Sequence, residues 1–181
     1  MAYCVQTLAG LARDCESNQG GIREAWISPY VENLFTVSSG AVTGINSAVT
    51  ADTFYHYTFK KDTGSFTSTL NVDNANGVNY VSTEINLVFA RMESVKRAEI
   101  AALSLADVAM IVLDANGKYW AFGVYEPVNA SAGSAETGVA RGDANRYSIT
   151  LLDNAPSYPM ALSDAAVTAF KALVVEPNAA I

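Results

Sequence analysis

The first residues that could do chemistry are Asp114 and Asn116, in the stretch VLDANGKYWAFG at residues 112–123. An Asp-x-Asn spacing begins the calcium loop of an EF-hand, which also needs glycine at its sixth position and a bidentate glutamate at its twelfth. Here Gly117 stands fourth and Tyr125 twelfth, and both flanks are rich in β-branched and aromatic residues. Asn-Gly between two such runs is a strong hairpin signal, because both central positions of the tight turn favour positive φ. The stretch therefore predicts a turn and no metal site.

The sequence offers few other groups for catalysis. Its single histidine, His56 in FYHYTF, is predicted to be an aromatic neighbour at the surface or at the edge of the core. A Ser-His-Asp triad would need His56, and no G-x-S-x-G elbow is present. The loops SNQGG and GSAETG lack the lysine and following helix of a phosphate cradle. Trp26 and Trp120 are predicted to be core or interface anchors. We therefore predict no catalytic, cofactor-binding or metal-binding residues, and a protein that is not an enzyme.

Cysteine spacing and the N-terminal sequence bear on where the chain folds. Cys4 and Cys15 match neither a zinc nor a redox spacing. The N-terminus has no basic region before its apolar part, and Arg13, Asp14 and Glu16 follow closely, so no signal peptide is expected. No apolar run reaches the roughly 18 to 20 residues of a membrane span. We expect folding in a cytoplasm with two free thiols, a disulfide between them being the alternative.

Short segments rich in β-branched and aromatic residues, separated by Gly, Asn, Asp and Ser, indicate a mainly β domain over residues 22–162. The longest predicted strand covers residues 78–91. Ile85, Leu87 and Phe89 share one face of it, because side chains alternate along a strand.

The apolar period changes after this strand. Apolar residues recur at helical spacing, at Val95, Ala98, Ala102 and Leu105. They predict one central helix over about 93–104.

The two ends of the chain are predicted to lie outside the β domain. Residues 1–21 are predicted to form an N-terminal arm, in which VQTLAGLARDC is apolar at helical spacing. Residues 163–181 are predicted to form a short helix capped by Ser163, followed by a tail. The predicted fold class is thus mainly β: a β-sandwich or small β-barrel with one central helix, an arm and a tail.

Composition and charge favour a protein with many subunit contacts. Of its 181 residues 50% are hydrophobic and only 16% are charged, and the charged share of a soluble domain is usually about 25%. Repeated contacts with other subunits would cover such a charge-poor surface, although a monomer with a surface rich in Ser, Thr and Asn is the alternative. The net charge of −7 and the scattered basic residues argue against tight binding of nucleic acid.

Five segments of the chain, taken in order, resemble a known family. They are DCESNQGGIREAWISPYVENL, FYHYTFKKDTGSFTSTLNVDNANGVNYV, INLVFARMESVKRAEIAAL, VAMIVLDANGKYWAFG and TGVARGDANRYSITLLDNAP. The distinctive residues within them are Gly20-Gly21-Ile22, Phe66 after Lys60-Lys61, Arg91-Met92, and Asp114-x-Asn116-Gly117-Lys118-Tyr119-Trp120. From about Cys15 to Tyr158 the chain resembles virion structural proteins of tailed bacteriophages, including the crAss-like group, of the tail-tube or neck-ring type.

This resemblance implies a ring-forming subunit with a β-sandwich or barrel flanked by a helix. Its partners would be copies of itself in a ring and the adjacent ring, portal or tail proteins. DNA would pass through the channel without tight binding. The protein would be located in the virion tail or neck, after synthesis in the host cytoplasm.

Two other functions remain open from the sequence. One is another virion part, such as a capsid decoration or head-completion protein. The other is a monomeric β-sandwich binding module, for example for glycans, in which Tyr55 and Tyr57 would be exposed.

Overall fold

The structure is a computed structural model that describes residues 10–11, 17–46 and 53–176. The strands are β1 (Ile22–Pro29), β2 (Phe35–Ser38), β3 (Ala41–Ile45), β4 (Phe54–Thr58), β5 (Ser65–Asp73), β6 (Val78–Ala90), β7 (Val108–Asp114), β8 (Tyr119–Phe122), β9 (Asn129–Glu136), β10 (Arg146–Ala155), β11 (Met160–Ala161) and β12 (Val174–Val175). The helices are α1 (Ser94–Leu103) and α2 (Asp164–Lys171).

A six-stranded sheet with the order β11-β8-β7-β1-β4-β12 forms the middle layer. It is buried on both faces. Ala25 and Met110 belong to the core on one side, and Trp26 and Ile111 belong to the core on the other. This explains the continuous apolar run of β7, since a strand covered on both faces does not alternate between apolar and polar residues.

A four-stranded sheet with the order β5-β6-β10-β9 covers one face of the middle layer. Ile85, Leu87 and Phe89 of β6 point inward, together with Ile149 and Leu151 of β10. The residues between them on each strand point outward, because successive side chains alternate. Phe66 of β5 packs against Phe122 of β8, with ring centroids 5.3 Å apart, and so joins the two sheets.

The other face of the middle layer is covered by α2 and by the hairpin of β2 and β3. Phe170 of α2 is fully buried, and its ring meets those of Trp26 and Phe54 edge-on at 5.2 and 5.9 Å. Phe35 and Val42 of the hairpin join the same cluster. The molecule is therefore a β-sandwich with an additional layer, which confirms the mainly β prediction.

Several sequence predictions are confirmed. The long strand appears as β6, with Ile85, Leu87 and Phe89 buried, and the central helix appears as α1. Ser163 caps α2, its hydroxyl oxygen accepting the backbone N–H of Ala166.

One sequence prediction needs correction. Val174 and Val175, predicted to lie in a tail, pair in parallel with Phe54 and Tyr55 at the edge of the six-stranded sheet. On α1, Ile100 and Leu103 face the core. Residues 1–9 and 12–16, most of the predicted arm, lie outside the described residues, as do residues 177–181.

No helix in the described residues is long and apolar enough to cross a bilayer.

The cluster that contains Trp26, Phe54 and Phe170, which we call the second core, predicts a large effect for one substitution. Phe170→Ala should lower the free energy of unfolding by roughly 3 to 5 kcal/mol, because it removes a buried aromatic ring and leaves a cavity. Urea denaturation followed by tryptophan fluorescence measures this, since Trp26 contacts the ring. Val139→Ala, at a fully exposed loop position, is the control. A loss below about 1 kcal/mol for Phe170→Ala would contradict a central role for α2.

Candidate functional site

Asp114 and Asn116 form a turn between β7 and β8. The carboxylate of Asp114 accepts the backbone N–H groups of Asn116 and Lys118, both at 2.8 Å, and the indole N–H of Trp120 at 2.9 Å. Gly117 has φ of 83°, and Asn116 is not in the left-handed region. The loop is thus longer than the two-residue turn that Asn-Gly indicates, but the carboxylate serves as a turn former.

The side chain of Asn116 holds the segment that precedes β1. Its Oδ1 accepts the backbone N–H of Gln19 at 2.8 Å, and its Nδ2 donates to Gln19 O and Asn18 Oδ1 at 3.0 and 3.1 Å. Its functional groups are therefore used to fix the start of the domain.

His56 lies at the edge of the second core, stacked on Trp26 with ring centroids 4.9 Å apart and an interplanar angle of 12°. Its Nε2 is 3.0 Å from Glu24 Oε2, and its Nδ1 is 2.9 Å from Glu176 Oε2. Both nitrogens can donate only in the imidazolium form, so that form satisfies both carboxylates. The sequence indicated the aromatic neighbour, but it gave no sign of the two carboxylates, which come from distant parts of the chain.

The other aromatic candidates are also engaged in packing. Trp26 is buried and Trp120 is half-buried against the sandwich core. Tyr57 donates its hydroxyl hydrogen to Glu99 of α1, and burial together with this carboxylate raises the pKa of Tyr57. Tyr55 remains exposed. Cys4 and Cys15 lie outside the described residues.

Asp153 is a buried acid that the sequence reading missed. It is 4% exposed, lies across from Thr83 in the four-stranded sheet and accepts the backbone N–H of Gly123. Burial raises its pKa to about 6. The sequence SITLLDNAP could have indicated this burial, because Asp153 alternates in step with Ile149 and Leu151, which point inward.

Gly123, which donates to Asp153, is sterically constrained. Its φ is 75°, and a Cβ there would come within 2.9 Å of the Cα of Ala109. Asp153 therefore fixes a loop that fits closely on β7.

Chemical groups for metal binding are sparse in the described residues. No cluster of three or more His, Cys, Asp or Glu side chains there could hold a metal ion. The outer face and the edges of the four-stranded sheet are the other candidate sites.

The outer face of the four-stranded sheet is a largely polar surface. We define it by residues Thr67, Thr69, Asn71, Tyr80, Ser82, Glu84, Asn86, Ser148 and Thr150, which alternate with inward-facing residues. Cross-strand register places Thr67 opposite Glu84 and Thr69 opposite Ser82. Nearly all of these groups are hydroxyls and amides, with Glu84 as the one charge in the set. Val88, Leu152 and Arg146, which is paired with Glu136, lie on the same face. A shallow depression of about 320 Å³ lies over its β5–β6 half.

Both edges of this sheet are open among the described residues, because β5 and β9 each pair on one side only. Neither strand contains lysine or proline, the residues that usually protect an exposed edge. A bulge at Ser131, where Ala130 and Ala132 pair with Leu151 and Thr150, is the one irregularity of the β9 pairing. These edges can hydrogen-bond to another strand.

No family model matches the chain, and no curated protein or solved structure matches it either.

The turn at Asp114 predicts a defined stability loss. Asp114→Ala should cost roughly 1 to 2 kcal/mol, because three N–H groups lose their acceptor at an exposed site. Asp114→Asn keeps an oxygen for the two backbone N–H groups and should cost less. Thermal denaturation measures both variants. A rise in the Tm of the parent protein on adding calcium would contradict the turn assignment.

Asp153 predicts a dependence of stability on pH. Because its folded pKa of about 6 lies above the ordinary value of an aspartate, the contribution of Asp153 to stability is fully present below about pH 4 and is lost as the pH rises through 6. Asp153→Asn removes the charge and keeps an acceptor for Gly123. At pH 7 it should stabilise the protein by up to roughly 3 kcal/mol, the equivalent of the pKa shift.

Urea midpoints between about pH 4 and pH 7 test this, with exposed Asp62→Asn as the matched control. Identical dependence of the urea midpoint on pH for the parent and Asp153→Asn would show that burial of the charged carboxylate does not destabilise the fold.

Proposed function

We propose that this protein is a structural subunit of a tailed-bacteriophage virion, forming rings of a tail tube or neck around a channel for genome passage. The observation that carries the proposal is the four-stranded sheet with two exposed edges, β5 and β9. The ordered motifs that resemble tail-tube and neck-ring proteins support it.

The position of the two edges supports ring formation. They lie at opposite ends of the strand order, so β5 of one copy can pair with β9 of the next. Such a head-to-tail contact is heterologous, and it gives a ring when the rotation between copies closes. Strand addition supplies main-chain hydrogen bonds, and it covers edges that would otherwise favour aggregation.

A continuous sheet would place the outer face of every copy on one side of the ring. We propose that this side lines the channel. Its groups are mostly hydroxyls and amides with Glu84, and its one arginine, Arg146, is paired with Glu136 at 3.2 Å. Few cations are therefore free to hold phosphates, and the net charge of −7 repels DNA. DNA would therefore pass without tight binding.

The other surfaces would contact the adjacent ring, portal or tail proteins. The protein would be located in the virion tail or neck, after synthesis in the cytoplasm of the bacterial host.

Native mass spectrometry with negative-stain imaging across protein concentration tests the proposal. We expect closed rings or stacked tubes with a central hole. Ala132→Lys, which places a charge on the β9 edge, should prevent them, whereas Ala144→Lys in the exposed loop after β9 should not. Both variants should fold, as circular dichroism would report. Rings that form equally with Ala132→Lys would rule out strand addition at β9.

A further inference from the structure

Helix α1 carries apolar residues on two opposite faces. Ile100 and Leu103 pack on the sandwich core. On the other side lies a set that we call the outer stripe: Val95, Ala98, Ala102 and, just past the helix end, Leu105. Val95 is 80% exposed and Leu105 is 92% exposed. Residues at this spacing lie along one side of a helix, so the stripe is a continuous apolar surface.

A second apolar patch lies at the far end of the β5–β6 hairpin. We call residues 70–80 the hairpin tip. Its large apolar side chains are exposed by 41 to 56%, at Leu70, Val72, Val78 and Tyr80. They occupy both faces of the hairpin, since Leu70 pairs with Val81 while Tyr80 pairs with Asn71. The tip therefore extends past the core with apolar groups on both sides.

The two patches lie on different sides of the molecule. At one end of α1, the backbone N–H groups of Arg91 and Met92 donate to Asn145, next to β10. Beyond the other end, the carboxylate of Asp107 accepts from Asn129, the first residue of β9. The helix thus runs between the two ends of β9, whereas the tip belongs to β5 and β6 at the opposite end of the strand order.

The charges around the two patches are complementary. Asp73 is the one charged residue of the hairpin tip, and hydrogen bonds from Asn76 and Ala75 hold its pKa below the usual value. Next to the outer stripe, Arg91 and Lys96 share Glu93, with N–O distances of 3.0 and 3.5 Å. Arg97 makes no ion pair with any described residue. Glu99, one turn after Val95, accepts from Tyr57. Residues 91–105 thus carry three cations and two carboxylates, an excess of one positive charge in a chain that is acidic overall.

We propose that the hairpin tip of one copy packs on the outer stripe of α1 in the next copy. This rests on the proposed assembly into rings and names the side-chain contact that accompanies it. The occupant is a second copy because the chain carries both halves of the contact, on the two sides that a head-to-tail arrangement brings together. Packing Val72 and its neighbours against Val95 and Leu105 buries apolar surface that each copy alone leaves in water.

Crosslinking tests the contact directly. In a background with Cys4→Ser and Cys15→Ser, Val72→Cys and Val95→Cys variants are mixed and oxidised. We expect a disulfide between copies that joins residues 72 and 95. Val139→Cys, at a fully exposed loop position, replaces Val95→Cys in the control mixture and should give little crosslinking.

Assembly of uncrosslinked protein gives a second readout. Val95→Glu with Leu105→Glu should raise the concentration needed for half-maximal assembly by at least about tenfold, while Val139→Glu should leave it unchanged. Because both positions are exposed in the single copy, these variants should keep the parent's thermal stability.

The outcomes separate this contact from the proposed function. Rings that form without the crosslink, and unaffected by Val95→Glu with Leu105→Glu, overturn the contact and leave ring formation standing. A specific crosslink in open chains that never close supports the contact and contradicts the ring. A protein that stays monomeric at every concentration, with no crosslink, overturns both.

Discussion

The structure depends on burying both faces of β1 and β7. Ala25 and Met110 face the sandwich core, while Trp26 and Ile111 face the cluster around Phe170. Neither core could form without this shared central layer, since each uses the opposite side of the same backbone. Hydrophobic burial is the largest favourable contribution to folding, and here it is concentrated in the middle of the molecule. The layers on either side therefore need only one apolar face each.

That arrangement explains why so much polar and open surface remains. The four-stranded sheet contributes its inner residues to the core, and its outer face carries hydroxyls and amides. Its edges are not needed for the stability of the single copy. The packed layer beneath them holds both edges and the helix α1 in place, as the proposed contacts between copies require. The well-packed core also offsets the unfavourable burial of the Asp153 carboxyl beside it.

Structural features that depend on residues close in sequence could be predicted, whereas those that depend on distant segments could not. The period of residues 78–91 predicted β6, and the hydroxyl of Ser163 predicted the start of α2, because both signals lie within a few residues. The face that α1 turns inward depends on the sheets around it, so the spacing that predicted the helix did not identify that face. The parallel pairing of β12 with β4 joins distant segments and had no local sign. The open edges were hidden for the same reason, because strand order is a property of the whole fold.

The position of β1 has a consequence for how fast the protein folds. It lies between β4 and β7. Its hydrogen bonds to β7 join Ile22–Pro29 to Val108–Asp114, which are far apart in the sequence. Closing such a long loop is slow, and folding rates fall as contacts become more distant in sequence. During that interval an apolar strand with one free side is exposed to other unfinished chains. The rate at which the proposed ring can assemble would then be limited by the folding of each chain rather than by encounters between folded copies.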